Sequence, residues 1–448
     1  MADPEGRVYA VGVELPQDEH RGALAALAMP EAAAGPRFYW AAADGSESLA
    51  AFGTAHVAAA EGPDRHARVQ RALARARALV IDHGPPPGAR WVGGFAFEDD
   101  APERGSWSEL GAMWFALPRV LVTTTPDITT LTVTASGDPK RLTACARALA
   151  DRLSAAPAPP TWTARPVRST AGDVWARVAA AASATELRRR VESALQAIAA
   201  GHVEKVVVAA ARTTRYDRPI DPLAALEAVR TAQPDSAPFL VSRAPGIAFV
   251  GASPERLVRV SDGRLWTTVL AGSAPRDPDP ARDEALGRAL LASDKDRVEH
   301  ALVLDAVRDA LQAAGHEVTE PPPPVLRRLP GIQHLETPLS ARLADGADVL
   351  LEARRLHPTP AIGGKPRQRA LALIRSIEGR PRGWFGGGVG WCDGRGNGEV
   401  VVAIRSLLVC GDTVTAFAGA GIVAGSDPDA EVREIELKLD AVLGALRA

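Results

Sequence analysis

The run Lys205-Val206-Val207-Val208-Ala209 limits the possible folds more than any other feature. Its β-branched residues favour an extended chain, because a branched Cβ is stiff and suits a pleated surface. Successive side chains of a strand point to opposite faces, so an unbroken apolar run needs both faces covered. Such a strand belongs inside a layered structure. The residues before it read as a helix. Leu187, Val191, Leu195 and Ile198 recur on one helical face, Ser183 and Glu186 have capping-box spacing, and Gly201 supplies the stop.

Other strand-like runs lie at residues 90–98, 118–125, 239–243, 248–251, 264–270, 400–408 and 413–418. Helical patterns cover 66–81, 141–153, 294–313 and 429–446. Strands and helices do not alternate regularly, which predicts an α+β fold with large sheets. The proline-rich stretch SAAPAPPTWTARPV at 154–167 reads as a connector. No internal repeat of fixed period occurs.

The 448 residues are 46% hydrophobic and 24% charged, enough to bury a large core without staples. With 52 basic and 54 acidic residues the formal net charge is -2, so no field draws the chain to nucleic acid or an anionic membrane. Cys145, Cys392 and Cys410 are far apart and in no metal-ligand spacing, which points to a reducing compartment and away from zinc. The opening MADPEGRV has neither the basic nor the apolar region of a signal peptide, and no apolar run reaches the ~20 residues that span a bilayer. The expectation is a cytoplasmic protein with no nucleic-acid or membrane partner.

Gly419-Ala420-Gly421-Ile422-Val423-Ala424 matches the dinucleotide fingerprint G-x-G-x-x-A. A dinucleotide fold also needs further strands and an acidic residue ~20 positions on, and here a helix follows to the last residue. Nucleotide binding is therefore set aside. The glycines still let backbone N–H groups approach an anion such as a carboxylate.

In the helix at 429–446, Glu431, Glu434 and Lys438 share one face beside the apolar stripe Ile435, Leu439, Val442 and Leu446. In the helix at 294–313, Asp296 and Glu299 head the stripe Val303, Ala306 and Ala310. Each has an ordinary reading, as a surface Glu434–Lys438 pair or as favourable charge near a helix N-terminus. Facing each other, the two helices could hold a hard cation, which takes one or two carboxylates plus substrate and water.

Lys205 opens an apolar strand, where it is either solvated or a general base tuned by a low-dielectric site. Glu255 in Gly251-Ala252-Ser253-Pro254-Glu255 is either a surface turn residue or, if buried, a protonated general acid. Arg405 lies inside the run 400–408, and a charge in a buried strand needs a partner. A bidentate carboxylate is the natural one, from a ligand or from the protein itself. The residues alone select neither His334 nor His357.

Taken in order, the segments resemble the chorismate-utilising family: isochorismate synthases, salicylate synthases, anthranilate synthase component I and aminodeoxychorismate synthase component I. The matching segments are EKVVVAAAR (from Glu204), FVGASPERL (from Phe249), LAGSAPR (from Leu270), LASDKDRVEH (from Leu291) and QHLETP (from Gln333). They continue with LHPTPAIGG (from Leu356), WFGGGVGWCDGRGNGE (from Trp384), AIR (from Ala403), FAGAGIVAGSDP (from Phe417) and EVREIELKL (from Glu431). GGFAF at 93–97 is similar to isochorismate synthases.

The resemblance implies an α/β sandwich like anthranilate synthase component I: one large domain of two big, mostly antiparallel sheets packed face to face, with helices outside. Residues 1–165 would complete the sheets and 166–448 would form the chorismate-binding catalytic region. It implies Mg²⁺ held by Glu299 and Glu434, with Asp296 and Glu431 in support. Substrate would be contacted by Ser273, Arg405, Lys438 and the backbone at Gly419 and Gly421, with His334 beside the ring and Phe385 near the enolpyruvyl group.

Anthranilate synthases carry glutamine where Lys205 stands, and an Arg-Asn-Asp run where this chain reads Ala306-Val307-Arg308-Asp309. Aminodeoxychorismate synthases place a nucleophilic lysine where Ala271 stands. Lys205 with Glu255 resembles the water-adding branch, in which the lysine activates water for attack on ring carbon 2 and the glutamate protonates the hydroxyl leaving carbon 4. Salicylate synthases share this pair, add pyruvate elimination, and often have tyrosine where Phe385 stands. The resemblance therefore implies isochorismate synthase, serving menaquinone or siderophore synthesis. Salicylate synthase and an anthranilate synthase component I-like activity are the alternatives. It implies no glutamine amidotransferase subunit, and a monomer or homodimer.

Overall fold

Lys205–Arg215 is an eleven-residue strand whose first six residues are buried. In this computed structural model it pairs antiparallel along its whole length with Thr413–Val423. The short strand Gly364–Lys365 takes its other edge. The structure describes residues 7–15, 23–100, 105–154, 161, 163–164 and 184–446.

Beyond Thr413–Val423 the same sheet, of twelve strands among the described residues, continues through Ser406–Cys410, Ile247–Ser253 and Ala237–Ala244. It then runs into Arg37–Ala41, Ser48–Phe52, Val120–Thr124, Thr129–Ala135, Val8–Leu15 and Val80–His83. Among the described residues the second sheet has ten strands, nine of them in the order Glu317–Val318, Ile332–Arg342, Arg264–Pro275, Arg256–Ser261, Gly398–Val402, Gly388–Asp393, Arg90–Phe95, Met113–Leu117 and His56–Ala60. Val325–Leu329 forms a hairpin on Ile332–Arg342. Every ladder given for the described residues is antiparallel except Val8–Leu15 with Val80–His83. Both sheets thus draw strands from either side of the proline-rich stretch, and the fold is the two-sheet sandwich that the resemblance implied.

Large side chains from both sheets fill the space between them. Phe38, Trp40, Phe239 and Phe249 of the first meet Val92, Trp114, Val389 and Val401 of the second. Phe239 and Phe249 have no exposed surface, and burying each contributes on the order of 1.5–3 kcal/mol. Helix Pro428–Gly444 covers the first sheet, with Val432, Ile435 and Leu439 against Ala416, Ala418 and Ala420. Helix Asp294–Ala313 packs along Arg264–Pro275 and starts at Ser293, whose hydroxyl accepts from Asp296 N–H. Among the described residues no helix is long and apolar enough to cross a membrane.

Two expectations need correction. The pattern at 66–81 is helix Arg65–Arg77 followed by strand Val80–His83. The apolar period continues across the break because both elements turn apolar residues towards the same core. The run 400–408 is not one strand but two, Gly398–Val402 in the second sheet and Ser406–Cys410 in the first. The helix before Lys205 spans Ala184–Ala199, and Gly201 adopts a φ of 72°. The Ser183 cap, residues 1–6 and most of the 154–167 stretch lie outside the described residues.

Candidate active site

The chain crosses between the sheets twice at neighbouring points. Only Pro254 and Glu255 join Ile247–Ser253 to Arg256–Ser261, and only Ala403, Ile404 and Arg405 join Gly398–Val402 to Ser406–Cys410. The crossings are bonded to each other's strands. Val402 N–H donates to the Glu255 carbonyl at 3.0 Å, and Ala252 N–H donates to the Arg405 carbonyl at 3.2 Å. Arg405 turns the chain with a φ of 51°, a left-handed conformation that costs a non-glycine residue about 1–3 kcal/mol. It is thus a buried turn residue and not the centre of a strand. The apolar sequence hid this because both strands and the link between them are buried.

The two carboxylate-headed helices meet the Lys205 strand at the same junction. Lys205, 1% exposed, pairs with Glu299 at 2.8 Å. Lys438 donates to Glu434 at 2.6 Å and to the Gly419 carbonyl at 3.0 Å. Behind them Lys295 donates to Glu431 at 2.8 Å, and Ser293 donates to Asp296. Burial, with repulsion from Glu299 and Glu434, raises the Asp296 carboxyl. Burial and Glu434 likewise raise Glu431. Burial also pushes Glu434 upward, but Lys438 outweighs it and leaves that carboxyl below its ordinary value. No group of three or more His, Cys, Asp or Glu side chains that could hold a metal occurs among the described residues. The donor set nevertheless suits a hard cation: two carboxylates open to one cavity, with supporting carboxylates whose mutual repulsion a divalent ion relieves.

His334 faces Arg405. Arg405 Nη2 can only donate, so His334 Nε2, 3.2 Å away, is the acceptor. The proton then sits on Nδ1, which lies 3.0 Å from Ser273 Oγ and 3.3 Å from the Gly272 carbonyl. Burial and the Arg405 charge hold the imidazole well below its ordinary pKa, so it stays neutral. A bulge in Arg264–Pro275 between Ala271 and Ser273, with Gly272 at a φ of 79°, aims both partners at the ring. Burial brings the Arg405 pKa down to about 10, which leaves it charged near neutrality. Its Nη1 is buried and has no hydrogen-bond partner among the described residues. An acidic ligand would satisfy it.

These groups line one cavity of about 100 Å³. Lys205, Glu255, Ser273, Glu299, His334, Phe385, Arg405, Gly419, Gly421, Glu434 and Lys438 all border it, whereas Asp296 and Glu431 do not. Burial pushes the Glu255 carboxyl up to about 8 against the opposing pull of Lys205 and Lys438. Phe385 stacks on Phe417, centroids 5.5 Å apart and planes 20° apart, to form an apolar wall. Phe417, Ile404 and Arg382 also border the cavity and were not selected from the sequence. Phe417 stands next to the glycine run, a signal that was available; Arg382 offers none. His357 lies outside the cavity and donates from Nε2 to the Gly386 carbonyl at 2.9 Å, as a satisfied structural histidine.

The fingerprint glycines lie in strand Thr413–Val423 rather than in a loop before a helix. A Cβ on Gly421 would overlap Glu299 Oε1 and press on Lys205 Cε at 3.0 Å. Gly421→Ala is therefore expected to displace both groups and lower kcat about 10–100-fold, with a melting temperature near that of the parent. Parent-like kcat in steady-state assays would show that the closeness of Gly421 has no catalytic role.

The salicylate biosynthesis isochorismate synthase of Pseudomonas aeruginosa is 44% identical over 270 residues, covering 60% of this chain and 56% of that protein. The isochorismate synthase EntC of Escherichia coli is 41% identical over 259 residues, covering 58% of this chain and 66% of that one. These matches thus span between about half and two thirds of the relatives' lengths. The structure of MenF, the menaquinone-specific isochorismate synthase of Escherichia coli, superposes with a TM-score of 0.80 at 27% identity, over 99% of this chain and 95% of that one. Anthranilate synthase component I of Streptococcus pneumoniae shares the fold, with a TM-score of 0.69 at 19% identity. Enzymes of this kind use a divalent metal. The sequence profile described as chorismate binding enzyme matches residues 9–447, and the chain belongs to that family.

Proposed function

We propose that the protein is an isochorismate synthase, a Mg²⁺-dependent isomerase that converts chorismate to isochorismate by adding water at ring carbon 2 and expelling the hydroxyl of carbon 4. One observation carries this reading: a buried lysine and a buried carboxyl held protonated near neutral pH share one cavity with an unsatisfied arginine. As the free amine, Lys205 Nζ takes a proton from water, whose oxygen bonds to carbon 2. The ring double bonds shift, the bond from carbon 4 to oxygen breaks, and Glu255 supplies the proton with which that hydroxyl leaves as water. One water enters and one departs, so the reaction is an isomerisation. Lys205 and Glu255 then exchange protons with solvent to reset.

Arg405 binds a substrate carboxylate through its free Nη1, and Lys438 lies beside it in the cavity. His334, kept neutral, offers a dipole and no charge to the ring. The Phe385–Phe417 wall shields the enolpyruvyl group from water. Held by Glu299 and Glu434, with Asp296 and Glu431 in support, Mg²⁺ would orient a substrate carboxylate and neutralise its charge. In this reading residues 166–448 form the chorismate-binding region and residues 1–165 complete the sheets.

Incubation with chorismate and Mg²⁺, followed by chromatography of the products, tests the proposal. The expected product is isochorismate with its enolpyruvyl group intact. Salicylate plus free pyruvate would instead establish a salicylate synthase, and unchanged chorismate would reject both.

A further inference from the structure

Among the described residues, every one bordering the cavity comes from Lys205 onward. The N-terminal part nevertheless reaches the cavity wall indirectly, through a carboxylate and the aromatic rings beside it. Glu98 follows strand Arg90–Phe95 and is half-buried. Its side chain accepts from Arg382 N–H at 2.8 Å on one oxygen and from Gly383 N–H at 3.0 Å on the other. Phe97 N–H returns a bond to the Gly383 carbonyl at 2.7 Å. Phe385, two residues beyond Gly383, is in the wall of the cavity, as is Arg382 itself.

Neighbouring contacts tighten this grip. The Arg382 guanidinium lies 4.4 Å over the Phe97 ring and donates to the carbonyls of Val207 at 2.9 Å and Ile362 at 2.8 Å. Gly383 has a φ of 59°, and the space a Cβ would need there is filled by the Trp107 ring. That ring also touches Phe417, with centroids 5.5 Å apart. Glu98 is held in turn, since the buried Arg65 donates to its carbonyl and, at 2.8 Å, to that of Ala96.

We propose that Glu98 is a positioning residue for the reaction: its carboxylate fixes the turn that holds Phe385 and Arg382 in the cavity wall. It touches no reacting atom and acts through Phe385. Charge-assisted bonds to two consecutive N–H groups define the turn more tightly than a neutral acceptor would. Because the enolpyruvyl group lies against Phe385 under the functional reading above, on which this inference rests, a loosened turn weakens substrate binding more than chemistry.

The test compares the parent, Glu98→Ala, Glu98→Gln, Phe385→Leu and the Glu98→Ala/Phe385→Leu double variant, using chorismate kinetics, calorimetric chorismate binding and thermal melts. Glu98→Ala is expected to raise KM on the order of tenfold and to change kcat by less than about threefold. Glu98→Gln, which keeps one acceptor oxygen, is expected to recover part of the loss. In the Phe385→Leu background the effect of Glu98→Ala should largely vanish, because both changes act on one wall. Additive effects, or parent-like KM in a folded Glu98→Ala, would overturn the inference while leaving the parent's activity intact. A parent that neither binds nor converts chorismate would overturn the functional reading and this inference with it.

Discussion

Replacing Lys205 with alanine is expected to reduce turnover about 10²–10⁴-fold, the range that positioned acid–base groups supply, while chorismate still binds. Glu255→Gln is expected to do the same, since the amide keeps the shape but has no acidic proton. Arg405 and Lys438 are untouched in both variants, so calorimetry should still detect the substrate. Normal turnover by either one would remove the acid–base assignment.

The Glu255 pair of proteins has a pH signature as well. The acid must carry its proton, so kcat/KM of the parent should fall as pH rises through about 8. Stability moves the same way. The carboxyl binds its proton more tightly in the folded chain than at the ordinary value of 4.5, so between 4.5 and about 8 the native state holds the proton that the unfolded state has released. The contribution is full below that window, is lost as pH rises across it, and is flat above. Urea melts of parent and Glu255→Gln on either side of the window should differ by this slope. Identical pH dependence in the two proteins would mean that Glu255 is not the titrating group.

Chelation is the second large effect. After rigorous treatment with EDTA activity should fall to background, and added Mg²⁺ should restore it. The fold should survive, because Lys205 and Lys438 pair Glu299 and Glu434 without a metal. Mg²⁺ should then raise the melting temperature by simple linkage, equivalent to about 2.7 kcal/mol at a hundredfold excess over Kd. Glu434→Gln should shift the Mg²⁺ requirement upward. Full activity in the chelated enzyme would contradict the carboxylate site.

Local signals carried much of this structure. The helix at 294–313 has the bounds read from its pattern, because its carboxylates and its apolar stripe lie within the segment. The Lys205 strand was legible for the same reason, although it runs on to Arg215 through a half-exposed stretch that lacks the apolar signal. The sequence marks Arg405 as a buried charge that needs a partner, but not as the turn between two strands. Nothing in an apolar run marks the point where a chain leaves one sheet for another. Glu98 and Arg382 were invisible because their bond joins residues 284 apart in sequence. Either residue alone looks like an ordinary surface charge.

The pairing of Lys205–Arg215 with Thr413–Val423 also bears on how the protein is made. The two strands are roughly two hundred residues apart, so at ~5–20 residues per second the first waits about 10–40 s on the ribosome for its long neighbour. Its other partner, Gly364–Lys365, also emerges late. During that interval the apolar Lys205 strand has two open edges and no helix from the C-terminal end to cover it. Nascent chains are then open to wrong pairings with one another. Soluble yield should therefore respond to slower translation or to chaperones, even where the finished fold is stable.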